Sequence, residues 1–108
     1  MKQWLKEIKP NSFDIEVLNC PKLAVVIFIK RGVASGDILV AVLQRFAQDS
    51  KWNVDFFKVD VDLCKEVATR YRITKPPITL IFTKGEIVAH FIGVVSAQKI
   101  KRVLETLG

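Results

Sequence analysis

Apolar positions along the chain fall into two periods, and each change of period marks an element. Leu23-Ala-Val-Val-Ile-Phe-Ile29 is a continuous, β-branched apolar run; its length and composition predict a strand buried on both faces. A turn follows over Arg31-Gly-Val-Ala-Ser-Gly36, after which Ile38, Leu39, Val42, Leu43 and Phe46 recur at helical spacing. A further strand is predicted from Val54 to Val61. It runs into Asp60 and Asp62, and Asp62 is placed to cap a short helix with Cys64, Val67, Ala68 and Tyr71 on its apolar face. Pro76-Pro77 interrupts the chain, and Ile78–Phe82 and Ile87–Ile92 read as strands joined by a tight turn at Lys84-Gly85. Ser96 is placed to cap a last helix that buries Ile100, Val103, Leu104 and Leu107 and leaves Lys99, Lys101, Arg102 and Glu105 wet. Ahead of these elements, Asn11-Ser-Phe-Asp14 reads as a helix start. Asn11 or Ser12 is the cap, Phe13 and Val17 share a face, and the helix stops before Pro21.

The order is a possible opening strand, then α-β-α-β-α-β-β-α. Helices between the early strands call for parallel crossovers, and the late hairpin must be antiparallel. The expected architecture is therefore α/β, a mixed central sheet of four to five strands with helices on both faces. At 108 residues the chain is one domain, residues 1–108, with no repeat and no linker. A composition half hydrophobic and a quarter charged is that of a globular protein, not of a disordered one.

That order, with a double proline before a hairpin, resembles the thioredoxin family over nearly the whole chain. Ser12-Phe-Asp-Ile-Glu-Val-Leu18 looks like the family's first helix. Val59-Asp-Val-Asp-Leu-Cys-Lys-Glu-Val-Ala68 resembles the strand-to-helix segment of animal-type thioredoxins. Tyr71-Arg-Ile-Thr-Lys-Pro-Pro77 resembles the approach to the family's cis-proline, Phe82-Thr-Lys-Gly-Glu86 its last hairpin, and Gly93 the glycine before its final helix. The resemblance implies the thioredoxin fold and a cis bond before Pro77, which the tertiary amide of an X-Pro bond makes accessible.

The departure lies at the chemistry. Laid on this chain without gaps, the family's W-C-G-P-C segment falls on Gly32-Val33-Ala34-Ser35-Gly36, so both thiol positions are lost, to Val33 and Gly36. Dithiol exchange needs one thiolate to attack and a second thiol to resolve the mixed disulfide. The family's buried acid falls on Ile27, and the proline that kinks its long helix falls on Ala41, so a straighter helix is expected. What is retained is the loop that binds peptide in the family by adding a strand. Here Pro76 precedes the cis-proline and brings no N–H, so only its carbonyl can pair.

The candidate binding face is accordingly Arg31, Gly32, Val33, Ala34, Ser35 and Gly36 with Lys75, Pro76 and Pro77. The same turn opens a helix, and the resemblance implies that Lys30, Arg31 and Lys75 lie nearby, so anion capture is the other reading of this turn. The cysteines, Cys20 and Cys64, have no C-x-x-C spacing and no metal-ligand pattern. Cys64 sits on an apolar helix face as a structural thiol, while Cys20, at a turn before Pro21, is open to exposure; either is a candidate for redox chemistry or a dimer bond. His90, the lone histidine, reads as a surface or packing residue, and Trp4 and Trp52 as anchors or core. No Ser-His-Asp, zinc or nucleotide pattern occurs, so no enzyme, metal or cofactor is expected. The formal charge of +6 raises nucleic acid or another anion as a partner. The basic residues, from Lys2, Lys6 and Lys9 to Lys99, Lys101 and Arg102, are spread along the chain, and no nucleic-acid motif accompanies them. The charged start Met1-Lys2-Gln3-Trp4-Leu5-Lys6 does not read as a signal peptide, and no apolar run is long enough to span a bilayer. The expectation is a cytoplasmic, redox-inactive adaptor or chaperone-like module with a protein or peptide partner. Its rivals are a residual thiol-redox protein, as a homodimer in one form, and a basic anion-binding module.

Overall fold

The computed structural model describes residues 4–49 and 52–107; Met1–Gln3, and with them Lys2 and the first part of the charged start that does not read as a signal peptide, lie outside it. Five strands form one mixed sheet in the order β1-β3-β2-β4-β5: β1 (Lys6–Glu7), β2 (Leu23–Ile29), β3 (Val54–Asp60), β4 (Ile78–Thr83) and β5 (Glu86–Ile92). β1 and β2 flank β3 in parallel; β4 runs antiparallel to β2, and β5 to β4. The helices are α1 (Ala34–Asp49), α2 (Lys65–Arg70) and α3 (Ala97–Leu107).

The side chains of β2 show why the apolar run is unbroken. Ala24, Val26 and Phe28 face one core with Phe13, Val17, Cys64 and Val67. Val25 and Ile27 face the other with Leu39, Leu43, Ile100 and Leu104. A strand alternates its side chains, so one covered on both faces must be apolar at every position. α1 and α3 thus cover one face and α2 the other. α1 runs unbroken over sixteen residues. The β4–β5 turn carries positive φ at Lys84 (50°) and Gly85 (82°), the backbone a two-residue hairpin needs. Ser96 Oγ accepts the Lys99 N–H at 3.2 Å, capping α3.

Four expectations are corrected. The first helix is a single π-type segment, Asp14–Leu18, closed by Asn19 N–H to Asp14 O. Ser12 does not cap it, because its hydroxyl is engaged with the Lys9 backbone at 3.0 and 3.2 Å; Phe13 and Val17 are buried together. Ile38 is exposed, since the stripe facing the sheet is Gly36, Leu39, Leu43 and Ala47. Leu107 is exposed at the end of α3, where Ile100 and Leu104 already fill the core. Asp62 is not the cap of α2, for a reason given below.

Among the described residues one buried side-chain hydroxyl is an orphan. Thr79, in the middle of β4 between Ile27 on β2 and Phe91 on β5, is fully buried. Its hydroxyl has no partner among the described residues. An unmet buried hydroxyl costs about 1–3 kcal/mol. Thr79→Val, which keeps the branched shape, is therefore expected to stabilise the domain by about 1 kcal/mol, read as a higher urea midpoint at unchanged m-value.

Candidate functional site

Both candidate segments leave the same end of the sheet. Phe28 on β2 lies opposite Ile78 on β4, so the chain leaving β2 and the chain entering β4 come together at this end. Lys30 and Pro76 border one open groove of about 700 Å3, completed by α2 and the turn after it. Pro77 is buried, the Pro76–Pro77 peptide is cis, and Pro77 O accepts the Gly93 N–H at 2.9 Å. On either side of Gly93 stand Ile92, 72% exposed, and Val94, 48% exposed. They put exposed apolar side chains next to the Pro77–Gly93 hydrogen bond, which the sequence pattern did not single out because each sits beside a strand end where exposure has no sequence signature. Lys75, next to Pro76, is exposed.

The turn into α1 is built by hydrogen bonds and one dihedral. Gly32 has φ +82° with open space around a would-be Cβ, so the backbone and not crowding calls for glycine there. Val33 N–H donates to Lys30 O at 3.3 Å and Gly36 N–H to Val33 O at 3.0 Å. Arg31 and Ala34 are exposed, Val33 and Ser35 half-buried, and Gly36 is buried against Ile29. Asp37 stands in the first turn of α1 and places its own carboxylate at the positive end of the helix. That disfavours the capture of an outside anion by this turn.

Asp60, and not Asp62, takes the free amides ahead of α2, the role the sequence pattern assigns to Asp62. Asp60 Oδ1 accepts the N–H of Asp62 at 2.8 Å and of Leu63 at 3.3 Å, and its Oδ2 lies 3.4 Å from Arg31 Nε. The carboxylate at the strand end reaches the next two free amides, as Asx turns do. Asp62 turns outward to Lys30 Nζ at 3.1 and 3.3 Å. These pairs tie the β2–α1 turn to the β3–α2 turn and give the groove one wall.

The thiols are elsewhere and closed in. Cys20 is 6% exposed, correcting the open setting its turn suggests, and its Sγ donates to Asp55 Oδ2 at 3.2 Å. Cys64 is 2% exposed with Sγ 3.6 Å from Ile8 O. Both are free cysteines. Burial, chiefly, raises the pKa of each above the ordinary 9.0, and Asp55 adds to it for Cys20 and Asp60 for Cys64. The nucleophile is the thiolate, so the native thiols are expected to alkylate slowly near neutral pH and rapidly once denaturant unfolds the chain, a contrast that iodoacetamide labelling followed by mass spectrometry reads. The same shift has a sign in stability. A fold that holds thiols neutral gains from them fully below pH 9.0, and that gain is lost as pH rises through the raised folded pKa. His90 is exposed on β5. Trp4 and Trp52 pack against the α1–α3 core. The described residues hold no cluster of three metal-ligating side chains and no helix long and apolar enough to cross a membrane.

Comparison with known proteins agrees with this geometry. The family profile described as Thioredoxin matches residues 5–106. The chain belongs to the thioredoxin family. It is 31% identical over 102 residues to a thioredoxin of Mycoplasmoides gallisepticum, covering 94% of this chain and all of the relative. It is 28% identical over 95 residues to thioredoxin C-2 of Corynebacterium nephridii, covering 88% of each. A thioredoxin of Echinococcus granulosus is 36% identical over 55 residues, about half of each chain. This thioredoxin-family chain has cysteine at positions 20 and 64 alone, and neither borders the groove or the turn into α1.

Proposed function

We propose that this chain has given up dithiol exchange and binds an extended segment of a protein partner, as an adaptor or chaperone-like module of the cytoplasm. The binding face is Arg31–Gly36 with Lys75, Pro76 and Pro77, widened by Ile92 and Val94. The observation that carries the reading is the turn into α1: Val33 and Gly36 supply no thiol, while an open groove lies beside Pro76. A pair of buried, unpaired cysteines fits a reducing compartment. The test is to add a permanently unfolded, carbamidomethylated polypeptide to isotope-labelled protein and follow amide shifts. The reading expects changes at Gly32–Gly36, Thr74, Lys75, Gly93 and Val94. Changes confined to α3, or none, contradict it.

Thiol redox chemistry through Cys64 or Cys20 is the second reading, with a disulfide-linked homodimer as one form. It is favoured by the relatives, all bearing the name thioredoxin. Burial of both Sγ atoms and the raised pKa of each thiol weigh against it.

A further inference from the structure

We propose that the segment bound beside Pro76 is acidic: an extended peptide that lays carboxylates against the groove's basic rim and apolar side chains on its lining. The inference rests on the peptide-binding reading above and adds the chemistry of the partner.

Three features point the same way. The groove carries Lys30, Lys65 and Arg72 against the single carboxylate of Asp62. Asp62 is engaged by Lys30, which leaves Lys65 and Arg72 as net positive charge. Exposed Lys75 lies just outside, next to Pro76. Charge of one sign around a cleft steers and selects a partner of the other sign. Second, Arg72 holds φ +54°, a left-handed conformation that glycine or asparagine adopts more easily. The turn is fixed by Arg72 N–H to Thr69 O at 3.1 Å and Ile73 N–H to Ala68 O at 2.9 Å. A long cation kept at a position that glycine would fill at lower cost suggests a use for the side chain. Third, Pro76 offers a carbonyl and no N–H, so pairing with an incoming strand is one-sided. Side chains must then supply much of the recognition, and those at hand are cations. The groove's apolar lining, Val61, Ala68 and Ile73, suits the alternate side chains of a peptide. Among the described residues no aromatic ring lines it to stack a base, which favours peptide over single-stranded nucleic acid.

The experiment selects a displayed library of random extended peptides on the full chain at low salt, then measures the winners by fluorescence anisotropy. The expected result is enrichment of Asp and Glu interleaved with apolar residues. Binding of those peptides should fall at least about tenfold with Lys65→Glu plus Arg72→Glu, and likewise with added salt. Lys101→Glu on α3, in the layer across the sheet, should change nothing. The substituted positions are exposed, and the salt titration gives the same readout on unaltered protein. Winners without carboxylates that are still lost on blocking the groove with Thr69→Arg, at an exposed lining position, would overturn the acidic preference and leave the peptide-binding reading standing. No enrichment would overturn both. A poly-uridine RNA that binds more tightly than any peptide, and is lost in the charge-reversed variant, would overturn the proposal in favour of nucleic acid.

Discussion

Cysteines placed at Val33 and Gly36 are expected to close a reversible disulfide and yet give a slow disulfide reductase. The two positions bracket one hydrogen-bonded turn, Gly36 N–H to Val33 O at 3.0 Å, and such turns hold their ends within about 7 Å, close to the span a disulfide needs. A Cβ on Gly36 would meet Ile29 Cγ2 at 3.6 Å, an ordinary contact, so the new side chain fits. A thiol at the head of α1 gains acidity from the helix end. What is missing is a group to move the second thiol's proton. Ile27, where the family's buried acid falls, is completely buried among Leu39, Leu43 and Ile81. Its cross-strand neighbours are Lys58 and Thr79, the latter with its unmet hydroxyl. An aspartate at 27 would find a donor in each. Adding Ile27→Asp to the two cysteines should therefore raise turnover at least about tenfold, within the range general acid–base groups supply. Equal rates for the two- and three-site variants would show that Ile27 does not limit the chemistry.

Phe13→Ala is expected to cost about 3–5 kcal/mol, a large share of the total that holds a small domain folded. Phe13 is the hub of an aromatic cluster, with ring centroids 5.5 Å from Tyr71, 5.8 Å from Phe82 and 6.5 Å from Phe28. The Arg70 guanidinium lies over it at 5.9 Å while bonding Asp14 Oδ1 at 2.7 Å. One ring thus fastens the π-type segment to the sheet and to α2, which forms one wall of the groove. Ile15→Ala, two residues on and 71% exposed, should change stability by less than about 0.5 kcal/mol. A loss below about 1 kcal/mol for Phe13→Ala in urea unfolding would contradict its central place.

The parts of this fold that were legible in the chain are those set by local period. The β2 run reads as doubly buried because both faces are covered, and Ser96 reads as a cap because an apolar stripe follows it at once. Where two candidates sat close together, the sequence pattern pointed to the wrong one. Asp60 and Asp62 are both acids near a strand end, and only the path of the backbone decides which carboxylate reaches the free amides. Ser12 failed as a cap because Lys9, outside the helix, offered its backbone first. The turn before Pro21 suggested surface, but Asp55 on β3 closes over Cys20. The site divides in the same way. Val33, Gly36 and Pro76 were visible as departures from a family pattern, and Pro77 as a match to it. The groove was not, because Lys30, Lys65, Arg72 and Pro76 meet only where the ends of β2 and β4 and the turn after α2 come together.

The central claim is that the chain keeps the thioredoxin fold without its disulfide chemistry. The measurement that bears on it most directly is turnover of a protein disulfide such as that of insulin by the unaltered chain, with dithiothreitol and with a thioredoxin reductase supplied. The account predicts a rate no greater than the background without the chain, unchanged by Cys20→Ser or Cys64→Ser. A rate above background that disappears with Cys64→Ser would contradict it and make the buried thiol the working one.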